Sequence, residues 1–201
     1  MRILLFVFVL GFVYLLIRRL HYTISHYDEV FNIYVSYLTV GMGKRHLVEN
    51  PMMMSMGNLA NLPFLSLYYH ITGGTEGVVL FIRYMYLVMN LILSTVFYIL
   101  FKRALGKNAC LLFSLILISY APFSIYSIWY DSAALFFLLM GALLISGADL
   151  SDQKGKGAAF KYLAGICHAC MVYADPTMAA VIIVLIVYKT VCLIRKKVKV
   201  K

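Results

Sequence analysis

The chain has 201 residues, 63% hydrophobic and 13% charged, with a mean hydropathy of +0.89. Soluble domains run nearer roughly 45–50% apolar and 25% charged, so this composition excludes an ordinary soluble enzyme and points to a membrane-integral protein. The formal charge of +10 does not mark a nucleic-acid binder, because Lys and Arg cluster at the ends of apolar segments, as topology signals do.

The first apolar segment, 3–17, follows Arg2 and precedes Arg18-Arg19. Its length would also suit the core of a secretory signal. Bulky and basic residues follow where a small-residue cleavage site would be needed, so the segment reads as a retained anchor. Residues 18–77 form a long external loop of mixed character. Within it Val30, Phe31, Ile33, Tyr34, Tyr37, Leu38 and Val40 recur at helical spacing behind Asp28 and Glu29. Acidic residues favour a helix start through the macrodipole, and Gly41 and Gly43 end the run. A second weakly amphipathic stretch runs from Met52 to His70, interrupted by Pro63. Both stretches are expected to lie on the membrane surface.

Five further apolar segments follow at 78–101, 109–127, 132–148, 158–174 and 177–194. Thr75 suits the N-cap of the first, with Glu76 in its opening turn. With 3–17 they make about six spans in one all-α, polytopic transmembrane bundle, without repeats or linkers. Alternating from a cytoplasmic N-terminus puts thirteen of the 18 basic residues inside and six of the eight carboxylates outside. The inner basic residues include Lys102, Arg103, Lys107, Lys154, Lys156 and the C-terminal cluster. That is the positive-inside pattern, with both termini on the cytoplasmic face of the plasma membrane.

The outer carboxylates include Asp28, Glu29, Asp131 and Asp175, and Arg83 lies about two turns into the second span, near the same interface. A guanidinium there needs a partner, or it can hold a phosphate bidentately. Each acid also has a plainer reading. Asp28-Glu29 suits the start of a surface helix, Asp131 an N-cap with Ser132 in the first turn, and Asp175-Pro176 a helix start. The four cysteines lie inside apolar stretches and read as packing residues. Cys167-His168-Ala169-Cys170 has the wrong order for haem attachment, and His21, His26, His46 and His70 match no tight ligand spacing. Tyr126, Trp129 and Tyr130 form an interfacial aromatic belt. No P-loop, nucleophile elbow or Rossmann glycine motif occurs.

A first span, then Asp28-Glu29, then an amphipathic helix ending in Gly41-Met42-Gly43 resembles the opening of membrane glycosyltransferases of the GT-C superfamily. The protein-mannosyltransferase and aminoarabinose-transferase type is the nearest likeness. The Pro-containing surface stretch, the run Thr75 to Arg83, and Asp131 at the fourth span add to it. The likeness is one of hydropathy and spacing along nearly the whole chain. It implies a sugar donor linked to polyprenyl phosphate, drawn from the lipid phase, and an acceptor hydroxyl outside. Asp28 would be the base or orient the acceptor, with Glu29 as its support and Arg83 and Asp131 binding substrate and phosphate. A divalent cation held by carboxylates would assist the leaving group. Members of that superfamily are longer, and many carry Lys before Pro where this chain has Asp175-Pro176. The resemblance therefore implies an N-terminal portion. A non-catalytic protein of envelope assembly, working beside a membrane partner, is the competing expectation.

Overall fold

The computed structural model describes residues 2–22, 27–42, 60–122, 125–150 and 154–198. Among them are eight α-helices and no strand: α1 (Arg2–Tyr22), α2 (Tyr27–Val40), α3 (Leu62–Thr72), α4 (Val78–Phe101), α5 (Lys107–Ser119), α6 (Tyr130–Asp149), α7 (Lys154–Ala174) and α8 (Ala179–Val198). A 3-10 turn, Pro176–Met178, joins the last two. Gly43, His26, His46 and residues 52–59 of the second amphipathic stretch lie outside the described residues, as does the side chain of Asp28.

Local chemistry sets the helix ends. Pro63 falls in the first turn of α3 rather than interrupting it, which suits a residue lacking an N–H. Gly73 closes the same helix at φ 67°, donating its N–H to the Tyr69 carbonyl. The cap of α4 is Gly77 rather than Thr75. Its φ of 78° and a virtual Cβ only 3.0 Å from the Tyr68 hydroxyl both call for glycine. The Thr75 carbonyl instead accepts from the Val78 N–H. α6 begins two residues before the expected start, with Trp129 at its cap. Ser132 Oγ then accepts from the Trp129 N–H and donates to the Ser127 carbonyl, so Asp131 occupies the first turn rather than the cap.

Two helix pairs run antiparallel. Ser94 of α4 and Ser114 of α5 each donate to the other's carbonyl, and Asn90 reaches Tyr120, which fixes an antiparallel pair. α7 runs back along α6. His168 packs on Gly141, and Gly157 lies against the Ala148 carbonyl at the far end. Small residues let the two backbones close, as helices packed in lipid commonly do. The core gathers at one end of the molecule. Leu16 and Leu20 of α1, Ile82 and Tyr86 of α4, Ala133 and Ala134 of α6, and Met171 and Ala174 of α7 share one buried cluster.

Among the described residues, two helices are long and apolar enough to cross a membrane, Val78–Phe101 and Tyr130–Asp149. Within their apolar stretches only 22% and 33% of residues are buried by the rest of the protein, whereas a soluble core helix would be mostly covered. Exposed Leu, Ile, Val and Phe continue along α1, α5 and α8. The third expected span differs from its sequence range. α5 ends at Ser119, and none of the described residues that follow, 120–122 and 125–129, is α-helical. Pro122 cannot donate a backbone hydrogen bond, and it biases Ala121 away from helical geometry.

Candidate functional site

The ends of α1 and α5, the starts of α2, α3, α4 and α6, and residues 120–122 and 125–129 meet where the core lies. Most of their polar side chains bond backbone carbonyls there, although Asn61 Oδ1 and Ser127 Oγ are buried with no hydrogen bond among the described residues. On α4, Arg83, Tyr86, Asn90 and Ser94 recur at helical spacing, and all are buried. Arg83 is 4% exposed and Glu29 2%. The Arg83 Nε donates to Glu29 Oε1 at 2.7 Å, its Nη2 to Oε2 at 2.6 Å, and its Nη1 to the Leu20 carbonyl at 2.9 Å. This bidentate fork ties the first turn of α2 and the last turn of α1 to α4.

The last carbonyls of α5 are satisfied in the same manner. The Ile118 carbonyl accepts from the Tyr126 hydroxyl at 2.6 Å, and Ser119 accepts from Arg19 Nη1 at 2.8 Å. Tyr120 accepts from both the Tyr86 hydroxyl and Asn90 Nδ2. The Arg19 guanidinium also stands 5.3 Å from the centre of the Tyr126 ring. Asn61, at the start of α3, donates to the Ile128 carbonyl at 2.9 Å. The carbonyls of Ile118, Ser119, Tyr120 and Ile128, where the chain leaves helical geometry, are thus partnered by side chains.

The sequence-derived candidates fall into this frame unequally. Glu29 and Arg83 are in direct contact. Asp28 lies beside Glu29 in the backbone of α2, its side chain outside the described residues. Asp131 is partly exposed in the first turn of α6, immediately before the buried Ser132. Asp175 is 8% exposed, and its Oδ1 accepts from the Thr177 N–H and hydroxyl, so it serves as the cap of the Pro176 turn. His21 donates or accepts at Tyr84, and the cysteines described are free. No group of His, Cys, Asp and Glu suited to a metal occurs among the described residues.

A cleft of about 10 Å³, room for little more than one water molecule, opens between α4 and α6. Tyr86, Asn90, Tyr120 and Ser132 make its polar part, and Leu93 and Leu139 its apolar part. Ligand pockets usually measure about 300–1,000 Å³, so this is a crevice rather than a chamber. The buried polar stripe of α4 and the capping role of Arg19 were not anticipated. The stripe was readable as Arg83, Tyr86, Asn90 and Ser94 on one face of an otherwise apolar helix. No family model, no curated protein and no solved structure matches the chain.

Proposed function

We propose that the chain is an integral membrane protein of about six crossings that works as a GT-C-type glycosyltransferase, moving a sugar from a polyprenyl-phosphate donor to an extracytoplasmic hydroxyl. The observation that carries this reading is the gathering of the carboxylate-bearing helix ends around one core. Glu29, Asp131 and Asp175 belong to the end where α1 and α5 finish and α4 and α6 begin, while Lys102, Arg103, Lys107 and Lys154 belong to the opposite end. That polarity agrees with a positive-inside orientation. The 13 residues of α5 span about 20 Å, short of the ~30 Å hydrocarbon core. In this reading the chain after Ser119 completes the third crossing, with the carbonyls of Tyr120, Ser127, Ile128 and Trp129 partnered by side chains, as suits non-helical backbone at lipid depth.

In the reaction, Asp28 accepts the proton of the acceptor hydroxyl as its oxygen bonds to the anomeric carbon. The bond from that carbon to the phosphate oxygen breaks, and polyprenyl phosphate leaves with the electron pair. Asp131, partly exposed in the first turn of α6, orients the sugar. Arg83, its fork already on Glu29, acts on the fold in this arrangement rather than on phosphate. Proteoliposomes given polyprenyl-phosphate-linked hexoses and pentoses, with an envelope extract as acceptor, should release polyprenyl phosphate. The Asp28→Asn protein should insert normally and release at least about 100-fold less, the range of a lost general base. Equal release by both proteins would remove Asp28 from the mechanism.

A second reading, a non-catalytic protein of envelope assembly, is favoured by the closure of the Glu29–Arg83 pair on itself and by the small cleft. It predicts no donor turnover by the wild type, and an unchanged envelope when Asp28→Asn replaces it in cells.

A further inference from the structure

α2 packs chiefly on α3, and the two make a layer over the bundle with few contacts to α4. Tyr37 and Tyr69 join them edge to face at 6.2 Å. The described charge pair between that layer and the bundle is Glu29 with Arg83, and the same guanidinium holds the end of α1 through the Leu20 carbonyl. Both partners are almost wholly buried, so the pair is screened by salt much less than a surface pair would be.

We infer that Glu29 is a positioning residue: clamped by Arg83, it fixes the first turn of α2, and with it the backbone of Asp28, against the ends of α1 and α4. This rests on the transferase reading for its purpose, but the clamp itself does not. Of the two adjacent acids, one is thereby assigned to holding the turn, and the other is left for chemistry. A bidentate fork suits this task because it fixes direction as well as distance. A third donor on Leu20 stops the guanidinium from swinging with the loop.

The test uses the full chain in proteoliposomes, with Cys110, Cys167, Cys170 and Cys192 replaced and spin labels at Val30→Cys and Val88→Cys, both exposed positions on α2 and α4. Dipolar spectroscopy should give one narrow distance distribution. Glu29→Gln should broaden it about twofold or more, and exchanging the charges, Glu29→Arg with Arg83→Glu, should restore most of the original width, as a coupled pair requires. Should the exchange fail to fold, Glu29→Gln with Arg83→Gln removes both buried charges and should broaden the distribution as the single change does. An unaltered distribution in folded Glu29→Gln protein, with only its thermal midpoint lowered, would reduce the pair to a general stabiliser and overturn the inference. The distance readout involves no sugar, so absence of transfer activity leaves it intact and instead counts against the transferase reading.

Discussion

Glu29 and Arg83 show how a charged residue in an apolar chain is tolerated. Removing one partner leaves the other buried and uncompensated, a loss of about 3–5 kcal/mol in comparable pairs, whereas removing both is far milder. Arg83→Leu should therefore lower the thermal midpoint in detergent much more than Glu29→Leu with Arg83→Leu does, and equal losses would deny the pairing. The sequence already demanded a partner for Arg83, but not its identity. Glu29 is 54 positions away, and nothing in Asp28-Glu29 tells which acid faces α4. Gly141 offers a test of packing. A Cβ there would sit 2.7 Å from His168 Nε2, so Gly141→Ala should cost about 1–3 kcal/mol of overpacking. Pairing it with His168→Ala should return most of that loss in the same thermal measurement.

At the scale of elements, apolar length located the helices and failed at one of them. The run 109–127 reads as continuous because its side chains stay apolar past Ser119. Its end is set by Pro122 and the Tyr126 hydroxyl, which the apolar run itself contains, and by carbonyl partners on α1 and α4, which no local window contains. The start of α8 was legible, because Asp175 and Pro176 carry their own capping chemistry. α8 packs mainly on the 3-10 turn before it, so loss of that cap should stay local. Asp175→Ala should cost about 0.5–2 kcal/mol, seen as faster amide exchange in the first turns of α8 with little change elsewhere. Uniformly faster exchange across α4 and α6 would contradict that.

For the whole molecule, charge placement is what carries the proposed orientation. Topology signals act at segment ends, and those ends are where the sequence puts its Lys, Arg and acids. The alternation they imply agrees with the antiparallel pairing of α4 with α5 and of α6 with α7. Side-chain pairing within the polar end was hidden, since it depends on which helix faces which. The central claim is that this end is a single extracytoplasmic face. It is tested most directly by labelling single cysteines at the exposed positions Thr75, Pro176, Ala104 and Leu150 in a background lacking the native four. A membrane-impermeant maleimide applied to intact cells should label Thr75→Cys and Pro176→Cys, and should reach Ala104→Cys and Leu150→Cys only after permeabilisation. Labelling of Thr75→Cys and Ala104→Cys from the same side, or of Thr75→Cys and Pro176→Cys from opposite sides, would contradict it.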